Sequence, residues 1–307
     1  MSDTHKEIEP TLREAAIAYE MAVPVRIPPT DEDLFYSDGK YVSEEDYFTY
    51  FYEYGRVSYE WNNGILEAKP VADVVSARMY AWLFQLIQAF LETHPIAGYI
   101  LLEIGFRMEI PDPDVQGATK VVVRKPDLGI VLNDNPISLN DSDKTYHGVC
   151  DLCIESLSYS NQKEIDRDII DKKYEYGAGG VKEYFILDER NMEMHFYRRN
   201  DLGKYVEIKR DAEGIVSSTV LQGLHFRVTD LHRQPLMREV ALDPLYRSFF
   251  LPEFYAQQIA HAEERRQKEE ERRQKEKALQ EAEDERHRSA RYAEALRNRG
   301  IDPDSLL

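Results

Sequence analysis

The run GVCDLCIESLS, residues 148–158, carries a glutamate inside a stretch that otherwise reads as a buried strand. Val149, Leu152, Cys153 and Ile154 are residues that interiors favour, and Glu155 is not. A buried carboxylate without a partner is costly enough that it needs a cation, a proton or strong hydrogen-bond donors. A fold that uses this strand must therefore deliver positive charge to the middle of a sheet.

The neighbouring sequence predicts such a sheet. SEEDYFTYFYEYG (43–55) has a serine N-cap, early acids and a closing glycine, which predicts a short helix. VSYEWNNGILEAKP follows as two short strands around Asn63-Gly64, a strong hairpin signal. From Ser76 to Glu92 a helix is expected, with Met79, Leu83, Leu86, Ile87 and Phe90 along one stripe. Strand candidates YILLEIGFRMEI, KVVVRKPDLGIVL and VCDLCIES come next. A helix at about 162–177 then precedes VKEYFILD, MEMHFYRR and KYVEIKR. This order predicts an α/β chain, in the α+β sense, with a mixed sheet and a few flanking helices.

Composition divides the chain further. Residues 1–42 form a proline-rich lead-in, 43–235 the folded domain, 236–253 a linker, 254–300 a charged helix and 301–307 a tail. The charged helix alternates acids and bases at i,i+4, as a solvated rod does. Its apolar positions are too sparse to establish a heptad seam, so a coiled coil remains one option. A homo-oligomer could form through that helix or through the core. Two cysteines make no disulfide framework, and with no signal-peptide pattern a cytoplasmic setting is expected. No run of 18 apolar residues occurs, so no membrane partner is expected.

The formal net charge is −18. Residues 263–288 hold 10 acids and 9 bases, so almost all of the excess lies elsewhere. A chain that grips nucleic acid by non-specific phosphate contacts carries a basic footprint, and globally this one does not. The eight histidines show no metal-ligand spacing, and no glycine-rich phosphate loop is present.

Asp127, behind Pro126, stands where another apolar strand begins. Two carboxylates on neighbouring strands repel unless something positive lies between them, and Mg²⁺ or Mn²⁺ suits such a pair. Alternatively, Asp127 caps a turn and Glu155 pairs with a lysine or arginine. In NQKEIDRDIIDKKYEYGAGGV, helical spacing places Ile165, Ile169 and Tyr176 on one stripe, with Lys172 about 40° from its centre and Lys173 about 60° to the other side. Lys172 either serves a metal site as a charge-stabilising lysine or pairs with Asp168 four residues earlier. Cys150 and Cys153 form a CxxC within one expected strand, which predicts side chains on opposite faces and no shared chemistry.

These residues carry a family resemblance. Pro126-Asp127, Glu155, Ser158, Asp168, Lys172, Tyr176, Gly180-Val181, Glu183-Tyr184 and Asp188 resemble the Uma (DUF820-type) family of restriction-endonuclease-like proteins in the PD-(D/E)XK nuclease superfamily. YEWNNGILEAKP and the closing LRNRGIDPDSLL are similar to the family's opening and tail. The resemblance spans roughly residues 43–232 plus that tail. It implies a restriction-endonuclease-like core, Asp127 and Glu155 as metal ligands, and Lys172 as the lysine shifted from strand to helix. Leu157 stands at the usual superfamily lysine position. Glu60 is implied as a further acid near the site. Departures include SYSN in place of SPST, no histidine where the first long helix begins, Phe185 in place of tryptophan, and about three extra residues before Asp168. The last of these keeps Lys173 a candidate beside Lys172. The function implied is Mg²⁺-dependent hydrolysis of DNA. The alternatives are a non-catalytic scaffold of the same fold and a metal hydrolase acting on another phosphate ester.

Overall fold

The computed structural model describes residues 28–250 and 252–299. Most of the expected lead-in and the 301–307 tail lie outside the described residues. The chain divides into two compact units. One comprises residues up to Ala81 with Ala97–Gly223, the other Trp82–Ile96 with the chain from Leu224 onward.

In the first unit, α1 (Asp31–Phe35) starts in a capping box between Thr30 and Asp33. The Ser43 hydroxyl caps α2 (Glu44–Asp46) by accepting from the Asp46 amide, and α2 runs on into a π turn over Tyr47–Phe51. Strands β1 (Tyr59–Asn62) and β2 (Ile65–Ala68) form the expected hairpin. Its turn residues Asn63 and Gly64 have φ of 48° and 102°, the left-handed backbone that asparagine and glycine tolerate. A methyl on Gly64 would also press into the Tyr41 ring. The Gly64→Ala variant is therefore expected to lose about 1–3 kcal/mol of stability, measured by denaturant unfolding.

Two sheets follow. Strands β4 (Phe106–Pro111) and β5 (Thr119–Arg124) join the hairpin in an antiparallel sheet of order β2-β1-β5-β4. The second sheet contains β3 (Ala97–Leu101), β6 (Leu128–Leu132), β7 (Leu152–Ser156), β8 (Glu183–Leu187), β9 (His195–Arg199) and β10 (Tyr205–Glu207). Its order is β10-β9-β8-β7-β6-β3, parallel at β7–β8 and antiparallel at the other ladders. A parallel pair needs a crossover, which the helical stretch between β7 and β8 supplies. Parallel strands are covered on both faces, which explains why β8 reads EYFIL and is buried at every position. The mixed α/β architecture expected from the sequence is thus present.

Helix α3 (Val74–Thr93) runs from the first unit into the second. Its stripe Met79, Leu83, Leu86, Ile87 and Phe90 is buried as expected. By length and composition alone α3 could cross a membrane, but that stripe has the burial of a core helix. In the second unit the Trp82 indole donates to the Pro235 carbonyl (2.9 Å), and Phe90 packs edge-on against Phe249. The 236–253 stretch contains a short helix (Met237–Leu242) and a 3₁₀ turn (Arg247–Phe249). A long terminal helix, Pro252–Arg297, follows. From residue 260 it is exposed, apart from the partly covered Ala293 and Leu296, and it carries pairs such as Glu264–Lys268 (2.6 Å).

Candidate active site

The two carboxylates meet at the open end of the β6–β7 ladder. Leu128 pairs with Ile154 in antiparallel register, so Asp127, one residue before β6, faces Glu155. Pro126 has no amide hydrogen to continue the ladder, and Asp127 uses its side chain instead: Oδ2 accepts the Ser156 amide at 2.8 Å. Oδ1 accepts from Lys69 Nζ at 2.9 Å. Glu155 is almost fully buried, and its Oε1 accepts from Lys172 Nζ and from the Tyr176 hydroxyl, both at 2.8 Å. Burial pushes the Glu155 carboxyl up to about 7; Asp127 adds to the push, and Lys172 and Lys69 oppose it.

Lys172 is the hub. Its Nζ also lies 3.0 Å from Asp168 Oδ1 and 3.3 Å from Glu60 Oε1, so three carboxylates share one buried ammonium. Burial disfavours that charge, but Asp168, Glu155 and Glu60 outweigh it and keep the lysine protonated. Lys172 thus makes the i,i+4 pairing with Asp168 that its spacing allows, and it also reaches Glu155 on β7.

The helix that delivers Lys172 is not a plain α-helix. Helix α4 (Gln162–Asp166), capped by Asn161, passes through a π turn (Arg167–Asp171) into α5 (Lys172–Gly179). A π turn inserts a residue and breaks the 100° phase on which the expected apolar stripe rested. Ile165 and Ile169 are only partly buried, whereas Arg167, Asp168, Lys172, Glu175 and Tyr176 are buried. The inner face of this helix is mainly charged, and a search for apolar periodicity could not find it. Lys173 points elsewhere, with its ammonium 4.0 Å from the centre of the Tyr197 ring. Lys173→Ala is expected to cost about 1 kcal/mol in thermal unfolding.

A second charged layer supports the first. Strand register places Glu60 opposite both Glu67 and Arg124. Like charges facing each other across strands repel, and here Arg124 bonds to both. Its Nε also donates to Glu175 Oε2 at 2.6 Å, and Lys120 bonds Glu175 Oε1 at 2.9 Å. Glu60 Oε1 further accepts the Lys125 amide at 2.8 Å. Burial alone would raise the Glu60 pKa, but Lys172 and Arg124 hold it well below the usual carboxylate range. Arg167, donating to the Ala68 carbonyl at 3.0 Å, adds positive charge near Glu60 and Asp168.

The structure thus brings together Asp127, Glu155, Lys172, Asp168 and Glu60, and sets Lys173 apart. Sequence reasoning missed Lys69, Arg124, Arg167, Glu67 and Glu175. For Arg124 the signal was available, since a charge ending the apolar run VVVR poses the same problem as Glu155. Two residues of the resemblance are structural: Glu183 accepts from Ser218 and Thr219, and Asp188 from the Tyr159 hydroxyl and three backbone amides. Both cysteines are buried and free, without a disulfide; Cys150 precedes β7 rather than lying within the strand, and both side chains enter one buried cluster.

Among the described residues, no group of three or more His, Cys, Asp or Glu side chains is arranged to hold a metal. The donor chemistry nevertheless suits a hard divalent cation, which needs one or two carboxylates plus water and phosphate oxygens. Both hydrogen bonds to Glu155 fall on Oε1, which leaves Oε2 available as a ligand among the described residues.

The model of the Uma2 family, described as "Putative restriction endonuclease", matches residues 44–229. No curated protein matches the chain. A crystal structure described as "a putative nuclease belonging to DUF820", from Anabaena variabilis ATCC 29413, is similar at 16% identity and a TM-score of 0.47, covering 62% of this chain and 98% of that one. With the family model spanning more than half its length, the chain belongs to the Uma2 family.

Proposed function

We propose that the protein is a divalent-metal-dependent endonuclease that hydrolyses DNA phosphodiester bonds, with Mg²⁺ or Mn²⁺ held by Asp127 and Glu155. The observation that carries this reading is the placement of those two carboxylates face to face at a ladder end, with the Lys172 ammonium 2.8 Å from Glu155. When bound, such a metal lowers the pKa of a water and neutralises charge at the phosphate. The protein's own contribution is orientation. The Ser156 amide fixes one oxygen of Asp127, and Tyr176 and Lys172 fix one oxygen of Glu155 and favour its ionised form. Lys172 also offers positive charge for a phosphate on which charge develops.

A second reading is favoured by the pairing of charges. Every carboxylate of both layers has a basic partner, as in an ionic network kept for structure. On that reading the protein is a scaffold with a nuclease-family core. The test is incubation of plasmid and single-stranded DNA with Mg²⁺ or Mn²⁺, with Asp127→Ala run alongside. Cleavage by the wild type that is lost in the variant supports the nuclease. A folded wild type that cuts neither substrate with either metal overturns it in favour of the scaffold.

A further inference from the structure

Lys69 has no part in the roles assigned above, yet it sits on one of the two proposed ligands. Its side chain is 7% exposed, and Nζ donates to Asp127 Oδ1 at 2.9 Å and to the Lys125 carbonyl at 2.7 Å. Its surroundings hold a second buried ammonium, Lys172, and the carboxylates of Glu155 and Glu60. A divalent ion on Asp127 would meet the Lys69 ammonium at close range in a site largely shielded from water, where repulsion between like charges is strong. One of the two cations has to give way. Lys69 has somewhere to go: Glu103 Oε1 lies 4.0 Å from its Nζ, on a side chain 56% exposed to solvent. A short swing of a flexible four-carbon stem exchanges a mostly buried carboxylate for an exposed one.

Resting on the metal-site reading, we propose that Lys69 is a built-in competitor for the metal. Its ammonium holds Asp127 in the metal-free protein and transfers to Glu103 when a divalent cation takes Asp127. Metal affinity is then set by how often Lys69 is parked on Glu103, since the apparent affinity falls by the fraction of competent molecules.

The test is calorimetric titration of Mn²⁺ into the full-length protein without DNA, comparing the wild type with Lys69→Met, Glu103→Gln and Asp127→Asn. Lys69→Met keeps the stem and removes the charge, and is expected to bind Mn²⁺ about tenfold more tightly if Lys69 covers Asp127 about nine-tenths of the time. Glu103→Gln, at an exposed position, removes the parking carboxylate and is expected to bind Mn²⁺ several-fold more weakly. Its result stands even if Lys69→Met fails to fold. Equal or weaker binding by a folded Lys69→Met overturns the competition while leaving the metal site standing. Unchanged affinity in Glu103→Gln overturns the transfer to Glu103. Absence of any binding that depends on Asp127, in both the wild type and Lys69→Met, overturns the metal-site reading and this inference with it.

Discussion

Lys172→Met is expected to lose about 3–5 kcal/mol of unfolding free energy, because removing one partner of a buried ionic group leaves the others uncompensated. Here three carboxylates depend on the one ammonium, at 2.8, 3.0 and 3.3 Å. For a domain with a total stability of about 5–15 kcal/mol, this is among the largest effects a single substitution can have. The loss should depend on pH in a defined direction. The Glu155 carboxyl already sits at about 7 against an ordinary 4.5, and losing Lys172 raises it further. A carboxyl with a raised folded-state pKa contributes stability at low pH that is lost as pH rises through that pKa. The deficit of Lys172→Met should therefore be smaller at pH 6 than at pH 8, as read by denaturant midpoints. A deficit that grows as pH falls would show that Lys172 does not compensate Glu155. Adding Glu155→Gln to the variant should recover part of the loss, since the most desolvated uncompensated charge is then gone.

Arg124→Met should cost a similar amount, about 3–5 kcal/mol, for the same reason in the second layer. Arg124 is fully buried and bonds Glu60, Glu67 and Glu175, two of which face each other across the hairpin. The replacement that keeps charge should not rescue it. A lysine has a single point of positive charge, whereas the guanidinium holds Glu175 through Nε while Nη1 serves the other two. Arg124→Lys is accordingly expected to remain well below the wild type in thermal unfolding. Recovery to wild-type stability would mean that net charge, not the fork, is what the layer needs.

These two substitutions show what was legible in the sequence and what was not. Local devices were legible. The Ser43 cap, the Asn63-Gly64 turn and the α3 stripe each depend on residues within a few positions of one another. Glu155 and Asp127 stood out because a charge in or beside an apolar strand needs a partner from elsewhere in the fold. The partners of those charges were hidden by distance along the chain: Lys69 reaches Asp127 across 58 residues and Arg124 reaches Glu175 across 51. The inner face of α4–α5 was hidden for another reason. Patterning assumes that buried means apolar, and at Arg167, Asp168, Lys172 and Glu175 the fold buries charge against charge. The π turn then moved these residues off the phase that a regular helix predicts.

The most direct measurement is anomalous X-ray diffraction at the manganese edge from crystals of the full-length protein grown with Mn²⁺ and a short DNA duplex. A single strong anomalous peak between the carboxylates of Asp127 and Glu155, with a DNA phosphate beside it, is the predicted result. With duplex bound, the absence of a peak at those two residues, or a peak only elsewhere on the chain, would contradict a metal-dependent nuclease site built on Asp127 and Glu155.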